Sequence, residues 1–90
     1  MARIVLCEDE PDLTAALTYR LTRAGHTLAA ADTVAGARKL IAQTRPHLVI
    51  LDWNLPDRPG TDLLRALRND PADATLPVLM LTARDARSEE

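Results

Sequence analysis

Short, uninterrupted apolar runs alternate along this chain with longer stretches in which apolar residues return every three or four positions. Ile4-Val5-Leu6-Cys7, Leu48-Val49-Ile50-Leu51 and Val78-Leu79-Met80-Leu81 are apolar throughout, the pattern of strands buried on both faces. They predict strands over Arg3 to Cys7, Leu48 to Asp52 and Val78 to Leu81, the last introduced by Pro77. Thr27 to Ala31 reads as a further strand, weaker because alanine has low strand propensity. Pro11 suits the first turn of a helix, where its missing N–H costs nothing, and Leu13, Leu17, Leu21 and Ala24 follow on one face. Gly25 supplies the stop. Asp32 and Thr33 are caps for a second helix, with Val34, Ala37, Leu40 and Ile41 as its apolar face and Pro46 marking its end. A loop with Pro56, Pro59 and Gly60 leads to a third helix over Thr61 to Arg68, with Leu63, Leu64 and Leu67 inward.

Doubly apolar strands separated by helices argue for an α/β, doubly wound architecture: a parallel sheet with helices on both faces. Ligands of such folds bind beyond the carboxyl ends of the strands, where the strand order reverses. Glu8-Asp9, Asp52 and Thr82 all follow directly on, or end, a predicted strand. If the first and third strands are parallel neighbours, three carboxylates converge at one sheet edge. Clustered carboxylates repel one another, and a divalent cation is the natural way to keep them ionised together. Magnesium fits best, since it takes oxygen ligands and is commonly held by one or two carboxylates with water. An Asp beside it can attack phosphorus and form an acyl phosphate. The Thr82 hydroxyl can bond a phosphoryl oxygen, and small Ala83 lets a backbone N–H approach.

Acidic residues at strand ends also serve as ordinary caps, and Glu10 or Asp9 fits the cap of the helix that begins at Pro11. For any one residue that explanation suffices. Three strand ends in the ligand position favour a site.

Ninety residues, 47% of them apolar, suffice for one small domain, 1–90, with a modest core. A net charge of -2 and no run of Lys or Arg argue against direct nucleic-acid contact by this segment. No stretch approaches membrane-spanning length, so neither a membrane partner nor a location other than the cytoplasm is expected. Cys7, the single cysteine, lies in an apolar strand and reads as a small buried side chain. His26 and His47 fall on loops at the end opposite the acidic cluster. Arg65, Arg68 and residues 69–73 read as a solvated helix end and loop.

Cys7-Glu8-Asp9-Glu10, Leu51-Asp52-Trp53-Asn54-Leu55-Pro56 with Gly60, and Leu81-Thr82-Ala83 resemble the signature segments of the receiver domain of bacterial two-component response regulators. The match runs over nearly the whole chain with its motifs in order, and the wording around Asp52 and through Leu79 to Arg84 is most similar to the winged-helix transcription factor (OmpR/PhoB-type) subfamily. The resemblance implies a flavodoxin-like sheet of order 2-1-3-4, with a fifth strand missing. It implies that Asp52 accepts a phosphoryl group from a sensor histidine kinase with Mg2+. Asp9 and Asp52 would bind the metal directly, with the backbone carbonyl of Asn54, while Glu8 would assist through water. The Asn54 side chain and Arg84 would modulate hydrolysis, Thr82 would be the switch hydroxyl, and the Ala83 N–H would face the phosphoryl group. Members of the family assist their own phosphorylation and dephosphorylation and are not ordinary turnover enzymes.

The family pattern continues past the fourth strand with a fourth helix, a fifth strand ending in a Lys-Pro pair, and a fifth helix. Here the only lysine, Lys39, falls on the second helix, so the phosphate-binding lysine is missing and phosphorylation of Asp52 is expected to be slow or undetectable while magnesium binding persists. An exposed fourth strand predicts a homodimer or strand-swapped dimer. The alternative function is a receiver remnant that acts as an interaction module without switching. An aspartate-nucleophile phosphatase is more distant, because such enzymes place a second Asp where Asn54 stands.

Overall fold

Each apolar run forms a strand with the predicted bounds. The computed structural model describes residues 1–81, in the order β1 (Arg3–Cys7), α1 (Pro11–Arg23), β2 (Thr27–Ala31), α2 (Val34–Thr44), β3 (Leu48–Asp52), α3 (Gly60–Asn69) and β4 (Val78–Leu81). The strands make one parallel sheet of order β2-β1-β3-β4. Val5 lies opposite Ala29 on one side and Val49 on the other, and Asp52 lies opposite Leu81. The chain therefore steps outward from β1 to β2 and returns across it to β3. That reversal places the ends of β1 and β3 side by side.

Alternate residues feed two cores, as the two-residue period of a strand requires. Val5, Cys7, Val49 and Leu51 pack with Val34, Ala37 and Ile41 of α2 and Leu63 and Leu67 of α3. Ile4, Leu6 and Ile50 form the core of the opposite face, against which Leu17 and Leu21 of α1 pack. Leu6, Leu51 and Leu63 are wholly buried, each contributing about 1.5–3 kcal/mol relative to an exposed side chain. The predicted face of α1 needs correction: Leu13 and Ala24 are exposed, and no residue of this helix is fully buried. Leu17 and Leu21 meet the core, whereas Leu13 sits in the first turn and Ala24 is the C-cap beyond the last helical residue, so the contact covers only part of the predicted stripe.

The helix ends follow their residues. Pro11 opens α1, and the Glu10 carboxylate accepts the Leu13 N–H at 3.2 Å, so the cap expected from Glu10 or Asp9 falls to Glu10. Gly25, at φ 96°, takes the chain out of α1 in a left-handed conformation that suits glycine. The Thr33 hydroxyl accepts the Gly36 N–H at 3.0 Å and caps α2. At the other end of α2 the left-handed residue is Arg45, φ 51°, directly before Pro46, whose ring excludes a further helical turn. Helix α3 begins one residue earlier than predicted, at Gly60.

The two histidines do occupy loops at the amino end of the sheet, with a role the sequence did not reveal. His26 Nδ1 accepts the Ala2 N–H at 3.0 Å, and His47 Nδ1 accepts the Arg3 N–H at 2.9 Å. The Arg3 guanidinium donates to the carbonyls of Thr44 and Arg45 at 3.0 and 2.7 Å. Arg68 likewise does more than end a helix, donating to the carbonyls of Ala74 and Leu76 at 3.2 and 2.8 Å and so folding the α3–β4 loop back on α3.

Candidate functional site

Parallel pairing of β1 with β3 sends both strands out of the same edge, and the acidic residues leave with them. Glu8, Asp9 and Asp52 each offer a carboxylate oxygen, and these oxygens lie within 4.8 Å of one another. Glu8 and Asp52 are buried, each 5% exposed, while Asp9 faces solvent. Burial pushes the Glu8 carboxyl above its ordinary range, and the charges of Asp52 and Asp9 add to the effect; the Glu10 N–H, donating at 2.9 Å, pulls the other way. The Trp53 N–H donates to Asp52 Oδ1 at 2.8 Å. Three hard oxygen donors at this spacing, one of them resisting ionisation because it is buried beside two other carboxylates, fit a small divalent cation.

The surroundings are fixed from three sides. The Glu8 N–H donates to the Ala31 carbonyl at 3.0 Å, which ties the acidic turn to the end of β2. Beside it an open groove of about 480 Å³ runs between the start of α1 and the end of β2, lined by Glu8, Asp9, Thr14 and Asp32 among others. On the β3 side the chain doubles back between Trp53 and Gly60: Asn54 bridges Pro59, and the Gly60 N–H donates to the Trp53 carbonyl at 2.7 Å. A β-carbon on Gly60 would collide with the Asp52 carbonyl oxygen. The glycine is needed for close approach of α3 to the end of β3.

Cys7 is buried, and its Sγ–H donates to the Thr33 carbonyl at 3.4 Å. Desolvation, and then the negative charges of Asp57, Asp52, Glu8 and Asp32, push its thiol up to about 12. It is structural, as its place in the strand suggested.

Two acidic residues outside the predicted set stand near the site. Asp32 lines the groove. Asp57 accepts the Val34 N–H on Oδ1 at 2.9 Å and the Ala35 N–H on Oδ2 at 3.1 Å. These bonds, Val34's first, hold its carboxyl below the usual carboxylate range. Nothing local in Pro56-Asp57-Arg58-Pro59 marks this contact, because the partner helix lies more than twenty positions earlier in the chain. Of the other predicted site residues, Asn54 lies in the loop that follows Asp52, and Thr82, Ala83 and Arg84 lie outside the described residues.

A parallel sheet of this order, with carboxylates gathered beyond β1 and β3, defines a receiver domain of the two-component type. The chain belongs to the response regulator receiver domain family, whose model matches residues 4–90. It is 39% identical over 90 residues to the transcriptional regulatory protein KdpE of Mycobacterium tuberculosis, a match covering 100% of this chain and 38% of that protein. It is 38% identical over 92 residues to the phosphate regulon transcriptional regulatory protein PhoB of Rhizobium meliloti, covering 99% of this chain and 39% of that protein. These relatives are OmpR/PhoB-type regulators, and the chain spans well under half of their length. Among solved structures it resembles the receiver domain of a signal transduction histidine kinase from Syntrophus aciditrophicus, with a TM-score of 0.86 and 32% identity over 100% of this chain and 72% of that one. It also resembles the Mn2+-bound form of response regulator Rcp1, with a TM-score of 0.81 and 25% identity over 89% of this chain and 64% of that one. Among the described residues no helix is long and apolar enough to cross a membrane.

Proposed function

We propose that this domain is a phosphoacceptor switch in which Asp52 receives a phosphoryl group from a sensor histidine kinase. The observation that supports it is the meeting of the Glu8, Asp9 and Asp52 carboxylates within 4.8 Å at the carboxyl edge of the sheet, in a member of the receiver family. Asp9, Asp52 and the Asn54 carbonyl would hold magnesium, with Glu8 acting through water; the Mn2+ form of Rcp1 is a related domain with a like cation. Bound there, the ion would offset the crowded negative charge and polarise phosphoryl oxygens.

Asp52 supplies the nucleophile. A carboxylate oxygen forms a bond to phosphorus as the phosphorus–nitrogen bond of the donor phosphohistidine breaks, and the imidazole leaves with that electron pair. The Trp53 N–H, donating to Oδ1 at 2.8 Å, orients the carboxylate. Thr82 and Ala83 would receive the phosphoryl oxygens, with Asn54 and Arg84 setting the lifetime of the acyl phosphate. The modified state would then be read as a population shift by whatever the domain controls. Transcription is the output that the regulators KdpE and PhoB suggest.

Incubation of the purified protein with acetyl phosphate and MgCl2, followed by intact mass, tests this. The expected result is a magnesium-dependent phosphoryl adduct that is absent from Asp52→Asn. An adduct that survives that substitution overturns the assignment, and magnesium binding without any adduct favours the interaction module instead.

A further inference from the structure

The loop after Asp52 is held at its base by the Asn54–Pro59 bridge and the Gly60–Trp53 hydrogen bond, and at its tip by Asp57. That tip contact crosses to another part of the molecule. With Val34 and Ala35 donating to Asp57, Gly36 to the Thr33 hydroxyl and Ala37 to the Thr33 carbonyl, the four leading N–H groups of α2 are all satisfied. Two come from the helix's own cap and two from a loop that follows β3. The start of α2 is in turn fastened to β1, through the Cys7 thiol on the Thr33 carbonyl and the Glu8 N–H on the neighbouring Ala31 carbonyl. Asp57 thus closes a circuit that runs from Asp52 through the loop to α2 and back to the strand bearing Glu8 and Asp9.

From this circuit we infer that Asp57 is a positioning residue for the metal centre, fixing the 53–59 loop, and with it the Asn54 carbonyl, against the Glu8–Asp9 turn. The inference rests on the magnesium site of the proposed function and adds a residue that does not touch the ion. A bidentate cap suits the task, because both carboxylate oxygens engage consecutive N–H groups and so fix the direction of the loop as well as its distance. Thr33 provides the contrast: its hydroxyl caps the same helix from the β2 side, accepting the Gly36 N–H within α2 itself.

Calorimetric titration of the protein with MgCl2, paired with thermal unfolding in its absence, separates the two roles. Asp57→Ala is expected to weaken magnesium binding about tenfold, the lower end of what loss of an outer partner of a metal site costs. Thr33→Ala is expected to lower the unfolding midpoint while leaving the magnesium affinity within about twofold. Asp57→Asn, which keeps one acceptor oxygen, is expected to fall between Asp57→Ala and the parent, and gives the reading if Asp57→Ala does not fold. Unchanged affinity in the folded Asp57 variants, or an equal loss in Thr33→Ala, overturns the inference while the metal site stands. Absence of saturable binding in the parent overturns the metal site, and this inference with it.

Discussion

Gly60 stands so close to the backbone carbonyl of Asp52 that the structure has no room for a β-carbon between them. The obstacle is main chain, which cannot rotate away as a side chain can. Helix α3 therefore begins directly beneath the strand end that carries Asp52, and Gly60 sets how near it comes.

Replacing Gly60 with alanine must push α3 off the end of β3 or bend the Trp53–Gly60 turn. Overpacking of this kind costs about 1–3 kcal/mol, and Gly60→Ala is expected to lower the stability measured by urea unfolding by that amount. Because the displaced carbonyl belongs to Asp52, magnesium affinity should fall as well. A variant as stable as the parent would show that the turn relaxes freely.

Charge removal at Glu8 is expected to have opposite effects with and without the cation. Without it, the buried Glu8 carboxylate suffers desolvation and the repulsion of Asp52 and Asp9, so Glu8→Gln should raise the thermal midpoint. With magnesium at a hundredfold its dissociation constant, the parent gains about 2.7 kcal/mol from binding, and the variant should gain less. Thermal scans with EDTA and with MgCl2 give both numbers. A lower midpoint for Glu8→Gln in EDTA would contradict the arrangement.

The Asp57 cap has a pH signature. Its carboxyl lies below the ordinary value of 3.8 in the folded chain, so the folded state binds this proton less readily than the unfolded state does. The stability it contributes is present above pH 3.8 and is lost as pH falls through the lower, folded value. The difference in urea midpoint between the parent and Asp57→Asn should hold steady from neutral pH down to about 4 and close below it. A gap independent of pH would deny the carboxylate its role.

Cys7 should be inert in the folded chain. Its thiol, pushed up to about 12 and buried under α2, offers almost no thiolate at pH 8. Iodoacetamide is expected to label it only at the rate of unfolding, and fast labelling under native conditions would mean that the strand opens locally.

The fold was legible because its signals are local and repeated. Three apolar runs, Pro11, Gly25 and Thr33 each declare an element or its end within a few residues, and the strand bounds follow. The acidic cluster was legible because topology converts position into proximity: once β1 and β3 are parallel neighbours, Glu8, Asp9 and Asp52 must leave the same edge. What stayed hidden depends on contacts between distant segments. Asp57 meets α2, His47 meets the Arg3 N–H and Arg68 gathers the α3–β4 loop across separations that no periodicity encodes. The faces of α1 were misjudged at Leu13 and Ala24 for a related reason, since helical spacing tells which residues share a side but not how far along the helix the sheet extends.

The amino end of the sheet is stapled by imidazoles that accept backbone N–H groups and a guanidinium on carbonyls, through His26, His47 and Arg3, whereas the opposite end gathers like charges. The two ends thus differ in what holds them: hydrogen bonds across segments at one, and at the other a crowd of carboxylates whose balance a bound cation or phosphoryl group would change. Under the proposed phosphorylation of Asp52, the change of charge would fall at the end opposite these staples, so one small scaffold would serve as both anchor and lever.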